Sequence, residues 1–240
     1  MSISMTRTLQ TLALTLSFSL AIISVSAQPP TDDPIRVKKT TDFTVTGTGS
    51  APEWQMTTPI TIPQRQGKVN YSTTMRILWS DKGIYLLYES EDTKITSTIR
   101  EDFQDIFNED VVEAFFWPDE RSVIYFEYEL SPYNYELPIL VPNYNARMYG
   151  WLPWHYEGAR RTVHKAVIQE KNGKVTGWTG EVFIPFAVLT PLQNVPPAPG
   201  TAWRANFYRI DYDVDMAEWS WKKTGPSFHE YEKFGKIVFE

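Results

Sequence analysis

Polar and apolar residues alternate along much of the chain with a period of two, the pattern of strands that bury one face. In "YFEYELSPYN", residues 125 to 134, the odd positions carry Tyr125, Glu127 and Glu129, and the even ones Phe126, Tyr128 and Leu130. In "EDVVEAFFWPD", Glu113 stands opposite Val112, Ala114 and Phe116, which are predicted to face the core. "TMRILWSDKGIYLLYES" reads as two strands joined at Ser80-Asp81-Lys82-Gly83, a Gly-ended turn of the hairpin kind. The clearest hairpin is "RRTVHKAVIQEKNGKVTGWTGEVFIPF", where Asn172-Gly173 supplies the positive φ angles a tight turn needs. "PFAVLTPLQNVPPAPG" predicts one helical turn from Phe186 to Leu189 and then a Pro-rich loop, and "AWRANFYRIDY", "AEWSW" and "GKIVFE" close the chain with strands. Roughly nine or ten strands with closely spaced turns and little helical periodicity predict an all-β fold. The expected form is an antiparallel β-sandwich with jelly-roll or immunoglobulin-like layering.

The first forty residues break this pattern. Residues 1–27 have one cation at Arg7, an apolar stretch from Leu9 to Val25 and the small-residue ending Val25-Ser26-Ala27, the features of a secretory signal peptide cut after Ala27. No cluster of Lys or Arg follows, which disfavours a permanent anchor. Residues 28–40, "QPPTDDPIRVKKT" from Gln28, are Pro-rich and charged and read as an extended leader. A single domain is expected over residues 41–240, in an exported protein of the periplasm or the extracellular space.

Composition narrows the class further. The net charge of -6 argues against nucleic acid or an anionic membrane surface as the main partner. The absence of cysteine in an exported chain leaves the core, with bound ions, to supply the stability that disulfides otherwise give.

The candidate chemistry is that of a sugar site. A pyranose presents hydroxyls around its rim and C–H patches on its faces, so it is held by carboxylates or amides beside flat rings, with charge-assisted hydrogen bonds of about 1.5–3 kcal/mol. Glu127 and Glu129 share one face, and Glu113 joins them if the two strands pair. Like charges so placed destabilise a sheet, which favours a ligand or a cation over a solvated acidic face, the commoner meaning of such alternation. Residues 143–161, "NYNARMYGWLPWHYEGARR", gather Tyr144, Tyr149, Trp151, Trp154 and Tyr156 into a loop-like stretch suited to binding.

Catalysis is not expected. Glu127 and Glu129 have Cα atoms about 6.6 Å apart, but neighbours on one strand approach a sugar from the same side, and hydrolysis needs carboxyls flanking the scissile bond. His155, His164 and His229 lack metal-ligand spacing, and no G-x-S-x-G elbow occurs. Asp211, Asp213 and Asp215 alternate like the opening of a calcium loop, but Met216 and Lys222 stand where an EF-hand needs Gly and Glu. A different hard-cation site built from these oxygens stays open.

Together the segments "APEW", "RILWSDKGIYLLYESED", "NEDVVEAFFWPD", "YFEYELSPYN", Trp154 followed by "GARRTVHKAV", "GWTGEVFIPFAVL", "PGTAWRANFYRID" and "WSWKKTGPSFHEYEKFGKIVF" resemble the family 9 carbohydrate-binding modules, in their single-domain exported form. The order and spacing of these segments carry the resemblance, which spans most of the chain after the leader. It implies a β-sandwich, binding of mono-, oligo- or polysaccharide without catalysis in support of polysaccharide breakdown or uptake, and structural calcium. The family's pair of sugar-clasping rings matches Phe107 and Phe228 by motif position, where Trp is common. Its acidic contact matches Glu113, its polar strand face matches Glu127 and Glu129, and His229 lies near the site. The rival readings are a haem-binding redox sandwich, with Met148 and His155 as axial ligands in the absence of Cys, and a protein-interaction module of the cell envelope.

Overall fold

The computed structural model describes residues 33–154, 157–190 and 192–240. Eleven strands of four or more residues build it: β1 (Ile35–Lys39), β2 (Thr73–Trp79), β3 (Gly83–Glu91), β4 (Val111–Trp117), β5 (Ile124–Leu130), β6 (Glu136–Tyr144), β7 (Val163–Lys171), β8 (Lys174–Pro185), β9 (Ala202–Asp211), β10 (Ala217–Ser220) and β11 (Gly235–Phe239). The expected helical turn is a 3-10 turn over Phe186–Leu189.

One sheet has the order β7-β8-β3-β2 and the other β6-β5-β4-β9-β11. These neighbours are antiparallel. β10 adds to the far end of β9, with Glu218 opposite Ile210. β1 joins the two sheets: residues 35–37 run parallel to β11, and Lys38 and Lys39 run parallel to β2. Of the segment read as a leader, Ile35–Lys39 form a strand that lies inside the sandwich. Val37, fully buried, gives the reason, since it fills the core where the two sheets diverge. The expected signal peptide lies outside the described residues, and no helix among those described is long and apolar enough to cross a membrane.

The turns follow their residues. Asn172 and Gly173 both have positive φ, 55° and 71°, the geometry of a type I′ hairpin. The even-numbered face of β4 and β5 packs between the sheets, where Phe116 and Phe126 join Trp178, Trp203 and Phe207 in the main core. The odd-numbered face carries a second apolar layer, in which Phe115, Tyr125 and Tyr208 lie under Tyr231 and Phe234 from the chain's last loop. Both faces of the second sheet are thus covered, and the acids of β4 and β5 lie beneath that outer cover.

Candidate functional site

Pairing of β4 with β5 places Glu113 opposite Glu129 and Phe115 opposite Glu127. The three carboxyls share one face, as the alternation predicts, but the face is not solvated. Glu113, Glu127 and Glu129 are at most 4% exposed. Glu113 Oε2, Glu127 Oε2 and both side-chain oxygens of Glu129 are buried and accept no hydrogen bond from another residue type, while the Glu127 and Glu129 carboxyls hydrogen-bond each other. Desolvation favours the neutral acid. Burial, reinforced by neighbouring carboxylates, holds Glu113 and Glu129 well above the ordinary carboxyl range, and burial raises Glu127 to about 8.

These carboxyls open into a pocket of about 220 Å³. Ile139 on β6 and Ile210 on β9 complete its floor, Glu218 on β10 enters from one side, and rings from three loops form its walls. Phe107 meets Trp151 edge to face at 5.9 Å. Phe228 stacks on Tyr208 at 4.1 Å and 10°, while the Arg65 guanidinium lies 5.3 Å from its centroid. Phe228 is thus already engaged by the protein, whereas Trp151 keeps 38% of its surface exposed. His229 stacks on Phe115, and its Nδ1 lies 2.6 Å from the Tyr125 hydroxyl. Burial lowers His229 to about 4, so the ring is neutral at pH 7 and its approach to Glu127, at 3.7 Å, is not an ion pair. The phenol is held protonated by burial, and the tautomer of the neutral ring sets which of the two groups donates.

Six of the expected binding residues, Phe107, Glu113, Glu127, Glu129, Phe228 and His229, therefore line one pocket. Trp154 does not. Its indole N–H donates to the Val188 carbonyl at 2.8 Å and its ring packs on the main core, because pairing of Leu152–Pro153 with β6 turns the chain inward there. Trp151, three residues earlier, takes the position at the pocket. Sequence reasoning also missed Glu218 and Met148. Glu218 carried a signal, since it alternates with the buried Ala217 and Trp219. Met148 entered only as a rival haem ligand, and His155, the other one, lies outside the described residues.

The expected metal set is redrawn in a similar way. Asp211 joins Asp92 and Asp110, with one carboxylate oxygen from each lying within 4.8 Å of the others. β9 ends at Asp211, so strand alternation no longer places Asp213 and Asp215 beside it. Asp213 accepts from the Tyr71 hydroxyl at 2.6 Å, and Asp215 faces Lys68. Burial lifts Asp92 to about 7 and Asp110 to about 8, although Arg209 pairs with Asp92 and Asp211 at 3.2 and 2.6 Å. Three buried carboxylates against one guanidinium leave an excess of negative charge, and Asp213 Oδ1 nearby is buried without a partner. An all-oxygen donor set of this kind fits a hard cation.

A two-sheet sandwich with a ring- and carboxyl-lined pocket on its covered outer face belongs to the class of β-sandwich binding modules. Sequence comparison is more specific: the carbohydrate family 9 binding domain-like family matches residues 45–240, and the chain belongs to it. No curated protein matches the chain significantly. Among solved structures, a candidate carbohydrate-binding protein from Bacteroides uniformis ATCC 8492 superposes with a TM-score of 0.71 at 17% identity, over 86% of this chain and 99% of that one. A carbohydrate-binding module of family 9 from Caldicellulosiruptor kristjanssonii in complex with cellotriose gives a TM-score of 0.61 at 16% identity, over 87% of this chain and 94% of that one. In complex with glucose the corresponding values are 0.60, 16%, 87% and 96%. At these identities the likeness establishes the shared β-sandwich fold.

Proposed function

We propose that the protein is an exported, non-catalytic carbohydrate-binding module that takes a sugar into the pocket between Phe107, Trp151 and Phe228 and serves polysaccharide breakdown or uptake. The observation that carries this reading is the set of buried carboxyls of Glu113, Glu127 and Glu129, to which no other residue type donates, beside exposed ring surface. Buried polar groups are satisfied in native proteins, and hydroxyls of a bound sugar would satisfy these. Phe107 and Trp151 offer C–H contact worth about 0.5–1.5 kcal/mol per ring, by analogy with aromatic pairs. The glucose and cellotriose complexes of the Caldicellulosiruptor module support the reading.

The carboxyls do not suit hydrolysis. Glu113, Glu127 and Glu129 rise from one face of one sheet, so they meet a sugar from one side and do not flank a glycosidic bond. The pocket lies below the ~300–1,000 Å³ of drug-sized ligand sites, a size for a sugar ring rather than a macrocycle. Calcium belongs to the proposal as a structural ion held by Asp92, Asp110 and Asp211, where it would neutralise buried charge at the end of the sandwich.

Calorimetric titration with a panel of mono- and oligosaccharides tests the function. Saturable heat with one sugar class, lost in a folded Phe107→Ala variant, is expected. A folded, calcium-loaded protein that takes up no sugar would overturn the proposal.

A further inference from the structure

The pocket's polar lining is one-sided. Among the described residues it consists of four glutamates, one neutral histidine and the indole N–H of Trp151, with no amide, side-chain hydroxyl, lysine or arginine. Arg65 beside the pocket is committed: its Nε lies 3.1 Å from Glu218, and its terminal nitrogens donate to Thr224 Oγ1 and the Gly225 carbonyl. No lysine or arginine lines the pocket to pair with Glu113, Glu127 and Glu129; the carboxyls of Glu127 and Glu129 bond each other, and Glu113 Oε2 is buried without a partner.

A neutral sugar hydroxyl both donates and accepts, so a site made for it offers acceptors and donors together. Burial keeps these acids protonated in the protein alone, and an ammonium, a donor only with three protons to give, favours their ionised, acceptor-only form. An ammonium placed among them, with release of a carboxyl proton, forms charge-assisted hydrogen bonds that neither a hydroxyl nor an acetamide matches. A bare metal ion fits less well. Among the described residues, the group with carboxylate oxygens close enough to share one ion is Asp92, Asp110 and Asp211, and the pocket glutamates form no such group. The room left between them suits an organic cation.

Resting on the sugar-binding reading above, we infer that this pocket selects an amino sugar with a free ammonium group over a neutral sugar of the same shape. Glu129, fully buried, and Glu127 supply that selectivity, and Phe107 with Trp151 supply ring contact common to any sugar.

The test uses three β-1,4-linked trisaccharides that differ only at C2: cellotriose with hydroxyls, N,N′,N″-triacetylchitotriose with acetamides, and the glucosamine trimer with amines. Each is titrated calorimetrically into the protein at about pH 5.5, where a C2 amine flanked by C–O carbons, less basic than the ~7.7–8.0 of an α-amino group, is protonated. About 0.15 M salt screens the general acidity of the surface. The glucosamine trimer is expected to bind at least tenfold more tightly than the other two. Glu129→Gln and, separately, Glu127→Gln are expected to reduce that ratio below threefold by weakening the glucosamine trimer more than cellotriose, with circular dichroism confirming the fold of each. Equal or tighter binding of cellotriose or of the acetylated trimer overturns the inference and leaves the sugar-binding reading intact. Preference for the glucosamine trimer that survives in both variants overturns the assignment to these carboxyls. Silence toward all three from folded protein overturns the inference, and silence toward the wider panel as well overturns the sugar-binding reading.

Discussion

At the scale of single residues, a ring's role follows from what already covers it. Trp154 and Trp151 stand three positions apart in one aromatic-rich segment, yet one is hydrogen-bonded against the core and the other faces the pocket. Trp151→Ala is expected to weaken sugar binding by about 2- to 12-fold, the equivalent of 0.5–1.5 kcal/mol, with little change in melting temperature. Trp154→Ala is expected to do the reverse. Removing a large ring packed on the core costs about 3–5 kcal/mol when the ring is fully buried, and less for this partly buried one, while sugar affinity is preserved. Calorimetry and thermal melts on the same two variants check both statements. Loss of affinity in Trp154→Ala without loss of stability would show that the pocket has been misplaced.

At the scale of elements, strand pairing converts local turns into site geometry. Gly173 needs its positive φ, but a Cβ there would meet nothing within 4 Å. Gly173→Ala is therefore expected to cost only the left-handed backbone penalty of about 1–2 kcal/mol and to leave sugar binding unchanged. Gly67 has a φ of 98°, and a Cβ there would lie 2.3 Å from Ala217 Cβ and 2.5 Å from its Cα. Gly67→Ala must push β10 away, and Glu218 moves with it. The expected result is a larger loss of stability than in Gly173→Ala together with weaker sugar binding, both read by denaturant titration and calorimetry.

At the scale of the whole molecule, the buried acids make stability depend on pH. Glu127 is raised to about 8, and Glu113 and Glu129 are raised as well. The native state therefore holds more protons than the unfolded chain above the ordinary glutamate range, and stability falls as pH rises. His229, lowered to about 4, acts with the opposite sign between about 4 and 6.5, where stability rises with pH. The two partly offset below pH 6.5, so the clear signature is a melting temperature that falls from pH 6.5 to 8.5. Glu127→Gln should flatten that fall. Asp92 and Asp110 are raised in the same direction and would steepen it in metal-free protein. If calcium occupies the aspartate cluster, an excess of 100-fold over its dissociation constant adds about 2.7 kcal/mol. Chelation should then lower the melting temperature of the wild type but not that of Asp110→Asn.

Much of this was legible in the sequence because strand periodicity is local. Alternation alone assigns Val112, Ala114 and Phe116 to the core and Glu113, Glu127 and Glu129 to the opposite face, and Asn172-Gly173 dictates its own turn. The register that sets Glu113 opposite Glu129, the burial of that acidic face and the replacement of Asp213 and Asp215 by Asp92 and Asp110 depend on contacts between residues far apart in the chain. Periodicity says which way a side chain points but not what a distant loop lays over it. Only the tertiary structure brings Phe107, Trp151 and Phe228 over the acids, and that cover turns a charged strand face into a pocket.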